Sequence, residues 1–154
     1  MFCCKDVPFG RANLLGAVFM IRQGFYIGER DWWIMVYYNI ATGRDIGDIA
    51  DVLVASGAQR NVVNEACDTL SQRDTGFTFS NLREHSTVIC ISHATSYDEM
   101  FSTINHEIKH CVEHISSYYG VEPTSERAAY LQGEISRQMY KAVALAICPR
   151  CNSH

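Results

Sequence analysis

The sequence has little of what marks nucleic-acid-binding or membrane-spanning proteins. Its 154 residues include 13 Lys and Arg against 17 Asp and Glu, a formal net charge of −4, so no excess of positive charge is available to bind nucleic acid or an anionic membrane. The apolar run at residues 12–21 is too short to cross a bilayer. Low-complexity stretches and Pro/Gly-rich linkers are also absent, and we therefore expect a single domain with no nucleic-acid or membrane partner.

The cysteines do not form the pattern of a disulfide framework. There are seven, an odd number, and their spacing is irregular, which favours a reducing compartment and predicts a cytoplasmic protein. The pair in CPRC (148–151) has the spacing of half a zinc knuckle, but no second CxxC completes it. We interpret this segment as a tail with free thiols.

Hydrophobic periodicity predicts an α+β fold with a small mixed or antiparallel sheet packed by helices. Strands are expected at 31–40, with 25–27 as a possible hairpin partner, and at 75–81 and 86–92, which form a second hairpin. In the first strand of that hairpin, Phe77 and Phe79 share one face and the other face is polar, as in an edge strand. Helices are expected at 45–57, 61–72, 97–119 and 126–147, with Ser96 as an N-cap and Gly120 as a stop.

We expect one domain over residues 1–154. Residues 1–22 are interpreted as a short buried element or a loosely ordered extension, and residues 148–154 as the tail. No internal repeat divides the chain.

The stretch HEIKH, residues 106–110, carries the strongest chemical signal. Histidines at i and i+4 project from adjacent turns of a helix, so His106 and His110 can converge on one zinc ion. Glu107 points about 100° around the helix, where it can take a proton from a zinc-activated water without binding the metal. On the predicted helix the apolar stripe falls on 101, 104, 108, 111, 112, 115 and 119, with the histidines opposite.

A catalytic zinc site needs a third protein ligand and one open position. His114 lies about 12 Å of helix rise from His106, too far for one ion, so a supporting or surface role is expected for it. Glu113 stands where a metzincin requires glycine, which excludes that class. The next helix offers Glu126 and Glu134; simple hairpin geometry favours Glu134, and the residues alone leave both open.

The segment HEIKHCVEHISSYYGVEPTSERAAYLQGEI resembles compact zincin metallopeptidases of the glutamate class, the gluzincins, of bacteria, phages and mobile elements. In that family a short ExxAY-like segment follows on the next helix, and SERAAYLQG is similar to it. The resemblance covers roughly residues 75–135. It implies Glu126 as the third zinc ligand, Tyr130 as a hydrogen-bond donor to the developing oxyanion, and an edge strand near 75–81 that holds an extended peptide or protein substrate. A supporting aspartate of thermolysin-like enzymes has no counterpart here.

The sequence therefore predicts a zinc-dependent metallopeptidase with Glu107 as general base. The alternative is a non-catalytic, zinc-stabilised interaction domain, in which the metal joins two helices. A domain without metal is the third hypothesis. His85, His93, Lys109 and Glu113 are interpreted as solvated positions rather than site residues.

Overall fold

The computed structural model describes residues 19–146. Most of the expected N-terminal extension, residues 1–18, and the CPRC segment with the tail lie outside the described residues. The first strand already begins at Ile21, inside the range that was assigned to the extension.

The described chain confirms the α+β prediction, with four helices and a four-stranded mixed sheet. The strands are β1 (Ile21–Ile27), β2 (Trp32–Ile40), β3 (Gly76–Asn81) and β4 (Ser86–Ser92). Their order in the sheet is β1-β2-β4-β3, so β3 lies at an edge, as its sequence predicted. The pairs β1–β2 and β3–β4 are antiparallel hairpins, whereas β2 and β4 run parallel.

The helices cover both faces of this sheet. Helices α1 (Gly43–Ala55) and α2 (Arg60–Leu70) pack on one face, and α3 (Tyr97–Tyr118) and α4 (Glu126–Ala146) pack on the other. Strand β4 is buried on both sides because Ile89 and Ile91 face the α3–α4 core while Val88 and Cys90 face the α1–α2 core. The alternation follows from the two-residue period of a strand.

The ends of α3 and α4 follow the sequence signals closely. The backbone N–H of Glu99 donates to Ser96 Oγ (3.2 Å), which confirms the N-cap, although the reciprocal half of a capping box is not formed. Gly120 has φ +64°, a left-handed conformation that stops α3 at low cost. Ser125 Oγ accepts from Ala128 N (3.3 Å) at the start of α4.

The packing face of α3 differs from the predicted stripe in six positions. Residues 104, 108, 111, 112 and 115 are buried as expected. Phe101 and Tyr119 are exposed, so the prediction was wrong for them, and Tyr119 already lies beyond the last helical residue, Tyr118. Four residues outside the predicted stripe are buried as well, namely Met100, Thr103, Glu107 and Ser116, and Glu107 faces β3.

Among residues 19–146 no helix is both long and apolar enough to cross a membrane.

The three cysteines of the described residues, Cys67, Cys90 and Cys111, are free thiols. Burial raises the pKa of Cys111 to about 12 and also raises the pKa of Cys90. The two buried thiols therefore act as small apolar core residues.

Candidate metal and active site

The two histidines of HEIKH converge. His106 Nε2 and His110 Nε2 lie 3.0 Å apart, and the two rings meet edge to face with centroids 4.6 Å apart. Two nitrogens bound to one tetrahedral zinc ion at about 2.0–2.1 Å lie roughly 3.3 Å from each other. The pair therefore has a spacing that fits a shared zinc ion, and both nitrogens are of the type that zinc prefers.

Glu107 is held in one position by the edge strand. Its side chain is only 3% exposed, and the hydroxyl of Thr78 donates to Oε2 at 2.6 Å. Gly76 lies directly against the same carboxyl group: a Cβ at position 76 would come within 2.5 Å of Glu107 Cγ and 2.6 Å of Oε1. A residue with any side chain at 76 would displace this carboxylate.

A cleft of about 270 Å³ joins these groups around the free edge of β3. Helix α3 contributes His106, Glu107, His110 and His114 to its lining; β3 contributes Gly76, Phe77 and Thr78; and α2 contributes Glu65 and Thr69. The cleft therefore runs from the α3 face of the sheet, past the edge of β3, to the α2 face. Edge strands have unpaired backbone N–H and C=O groups, and β3 has no further strand partner within the described chain.

The alternation of β3 distributes its side chains between the two walls. Gly76, Thr78 and Ser80 face α3, where they contact Glu107 or His114. Phe77 and Phe79 face the opposite way and pack against the α1–α2 core. One strand thus positions the polar groups of α3 on one side and provides an apolar wall on the other.

His114 is fixed by a chain of hydrogen bonds that begins in the core. Trp32 Nε1 donates to Thr87 Oγ1 (2.9 Å), Thr87 Oγ1 bonds with Ser80 Oγ (2.8 Å), and Ser80 Oγ bonds with His114 Nδ1 (2.9 Å). Burial, followed by the neighbouring His110, lowers the pKa of His114, and Glu113 opposes the shift. Both effects favour the neutral imidazole, and the supporting role expected for His114 stays a prediction.

Glu113 and Lys109 have solvent-accessible side chains, as predicted, and Glu113 also lies near His110. Its carboxylate lies 3.6 Å from His110 Nδ1 and 3.8 Å from Lys109 Nζ. At 3.6 Å, Glu113 and His110 Nδ1 are too far apart for a hydrogen bond, so the contact is electrostatic only.

The residues predicted on α4 lie elsewhere. Glu126 is exposed in the first turn, Glu134 is half-buried, and Tyr130 is 73% exposed. None of the three lines the cleft. Within residues 19–146 no three His, Cys, Asp or Glu side chains form a group that could hold a metal ion. The assignments of Glu126 and Tyr130 remain predictions from the resemblance.

Two loop histidines also differ from the solvated positions expected for them. His85, with φ +46°, stacks on Trp32 at a ring-centroid distance of 5.3 Å and bonds through Nε2 with the hydroxyl of Tyr118 (2.7 Å). His93 is half-buried, and its Nδ1 has no hydrogen-bond partner in the described part of the chain. Neither lines the cleft.

Sequence reasoning missed several cleft residues. Glu65 belongs to a helix far from HEIKH in the chain, and no motif connects the two. Gly76 and Thr78 had a weak signal, because a glycine at the start of a strand often marks a close approach of another group. The burial of Glu107 could not be read from helical periodicity, which treats every carboxylate as a solvent-facing position.

Comparisons with known proteins add no relative. No protein-family model matches the chain, and neither the search of curated proteins nor that of solved structures finds a match. The similarity to gluzincins therefore rests on the residues of HEIKH and SERAAYLQG alone.

Proposed function

We propose that the protein is a zinc-dependent metallopeptidase that hydrolyses peptide bonds with Glu107 as general base. The observation that supports this most strongly is the 3.0 Å approach of His106 Nε2 and His110 Nε2 beside a buried, hydrogen-bonded Glu107 in one cleft. A structural metal site needs ligands only. Hydrolysis also needs a general base, and Glu107 lines the same cleft as the two histidines.

His106 and His110 would hold the zinc ion, and the resemblance gives Glu126 as the third ligand, with Glu134 as the alternative. When bound, zinc supplies a Lewis acid that polarises the scissile carbonyl and makes water more acidic. Because Thr78 donates to Oε2 of Glu107 and Gly76 lies against the carboxyl group, the carboxylate keeps one orientation. In that orientation Glu107 accepts the proton of the attacking water and passes it to the leaving amine nitrogen.

The substrate in this proposal is a peptide or protein in extended conformation. The free edge of β3 supports this assignment, because an added strand can pair with it through main-chain hydrogen bonds. Tyr130 would hydrogen-bond the developing oxyanion, as the resemblance implies. We place the enzyme in the cytoplasm, a proposal supported by the three free cysteines of the described residues.

The test compares Glu107→Gln with the unchanged full chain after loading with zinc. Zinc content is measured by mass spectrometry, and cleavage by peptide-library digestion. We expect both proteins to bind one zinc ion and the variant to cleave about 10²–10⁴-fold more slowly, because it lacks the proton acceptor. Glu84→Gln, in the exposed turn between β3 and β4, is the matched control and should cleave at the unchanged rate.

Equal cleavage by Glu107→Gln and the unchanged protein would contradict the proposal. Zinc binding without any cleavage by the unchanged protein would favour the alternative, in which the ion stabilises an interaction domain. A chain that binds no zinc would exclude both.

A further inference from the structure

Glu65 is the one acidic residue lining the cleft that the proposed chemistry does not use. It lies on α2, across the β3 edge from the histidines. Within residues 19–146 it forms no ion pair with a Lys, Arg or His side chain, and no side-chain hydrogen bond involves it. The carboxylate is therefore free to meet a charged group that enters the cleft.

The surroundings of Glu65 have a particular shape and polarity. On the α2 side the cleft is lined by Phe77, which is partly buried against the α1–α2 core, by Thr69 and by the exposed Glu65. An apolar surface that leads to an exposed carboxylate suits a long aliphatic side chain with a cationic head, which buries its methylene groups and keeps its charge in water. Lysine and arginine have this form; a negatively charged side chain would be repelled.

The strand geometry explains how such a side chain reaches Glu65. Side chains of an extended peptide alternate between the two faces of the sheet that it joins. If a peptide pairs with β3, residues of one parity face α3 and the histidines, and residues of the other parity face α2. A residue next to one that faces the histidines therefore points towards Phe77 and Glu65.

We infer that Glu65 selects substrates with a lysine or arginine next to the residue that faces the histidine pair. The inference rests on the proposed peptidase function and adds a substrate class to it: basic peptides bound in extended form along β3.

The test uses N-acetylated, C-amidated peptides in which each position in turn is Lys, norleucine or Glu. Blocked ends remove any contribution from a free terminal amine. Binding is measured by fluorescence anisotropy on the zinc-loaded Glu107→Gln full chain, and cleavage by mass spectrometry on the chain with Glu107 intact. We expect one position at which Lys is preferred over norleucine by roughly fivefold, the range of a partly exposed charge pair, and at which Glu is disfavoured.

Glu65→Gln should bring the ratio of Lys to norleucine close to one, and Glu65→Lys should reverse the order of Lys and Glu. Asp68→Asn is the matched control: Asp68 is an exposed carboxylate on the same helix that does not line the cleft, and its removal should leave the ratio unchanged. Both Glu65 variants should keep their zinc.

Four results would overturn the inference. A ratio that persists in Glu65→Gln would show that another group recognises the charge. Loss of zinc from Glu65→Gln would make Glu65 a metal ligand instead of a specificity residue. Cleavage without any preference for Lys would remove the inference and leave the peptidase proposal intact, whereas absence of both binding and cleavage would remove both.

Discussion

Helices α3 and α4 have almost the same length and pack side by side on one face of the sheet, yet they use their polar residues differently. On α3, Glu107 is buried and His114 is bonded to β3. On α4, Glu126 and Tyr130 lie exposed to solvent. The difference shows that the polar cleft of this protein is formed by α3, the edge strand β3 and α2, and not between α3 and α4.

The largest expected effect concerns zinc affinity and tests this contrast directly. His106→Ala or His110→Ala removes one of two converging nitrogens, so zinc affinity should fall by at least about 100-fold. Glu126→Gln and Glu134→Gln are compared with them in the same competition titration against a fluorescent chelator. The resemblance predicts a large loss for Glu126→Gln and little change for Glu134→Gln.

The opposite order of those two glutamate variants would support the simple hairpin geometry. No change in either would mean that α4 takes no part in the metal site and that the ligands come from α3 and its partners across the cleft. Loss of zinc affinity should not be accompanied by loss of the folded state, which circular dichroism checks.

A second prediction, of intermediate size, concerns Gly76. A methyl group in Gly76→Ala would overlap the carboxyl group of Glu107. Because the overlap is with side-chain atoms and not with backbone, the chain should fold; Glu107 should move, at some loss of stability because its side chain is buried. A displacement of about 1 Å is enough to lower kcat/KM by roughly 100-fold. The measurement is peptide cleavage alongside thermal unfolding.

The matched control for this change is Gly133→Ala on α4, where an added Cβ would meet no atom within 4 Å. It should leave cleavage unaltered and raise the stability slightly, since alanine is favoured over glycine inside a helix by up to about 1 kcal/mol. If Gly76→Ala cleaved as fast as the Gly133→Ala control, the close contact would have no catalytic importance.

The smallest expected effect is that of Thr78. Thr78→Val keeps the shape of the side chain but removes the hydroxyl that donates to Glu107 Oε2. A hydrogen bond to a charged group contributes about 1.5–3 kcal/mol, so kcat should fall by roughly tenfold or somewhat more with little change in KM. Thr78→Ser keeps the hydroxyl and should recover most of the rate. A Ser variant as slow as the Val variant would indicate a packing role only.

Much of the fold could be predicted because it depends on local signals. A few adjacent residues determine each of these features: the alternation in β3, the caps at Ser96 and Gly120, and the two hairpins. The parallel pairing of β2 with β4 could not be predicted in the same way. Helices α1 and α2 and strand β3 lie between them in the chain, and neither strand's own sequence indicates which strand it will pair with.

The same distinction between local signals and the packing of distant elements applies to the candidate site. The convergence of His106 and His110 follows from their spacing on one helix, which the sequence states fully. Three other features depend on how separate elements pack: the burial of Glu107 against β3, the hydrogen bond between Ser80 and His114, and the position of Glu65 of α2 in the cleft. Periodicity identifies the buried face of a helix but not which polar residue the neighbouring strand will cover.

The unpaired edge of β3 can also promote self-association of the protein. The strand GFTFSN contains neither a proline nor a charged residue. Such residues commonly prevent exposed edge strands from pairing with one another. If β3 pairs with an extended peptide, as proposed, its edge can also pair with a strand of a second molecule of the same protein. At high concentration we therefore expect self-association to begin at this strand, and a single lysine at the outer end of β3 would be the first change to make when concentrated samples are prepared.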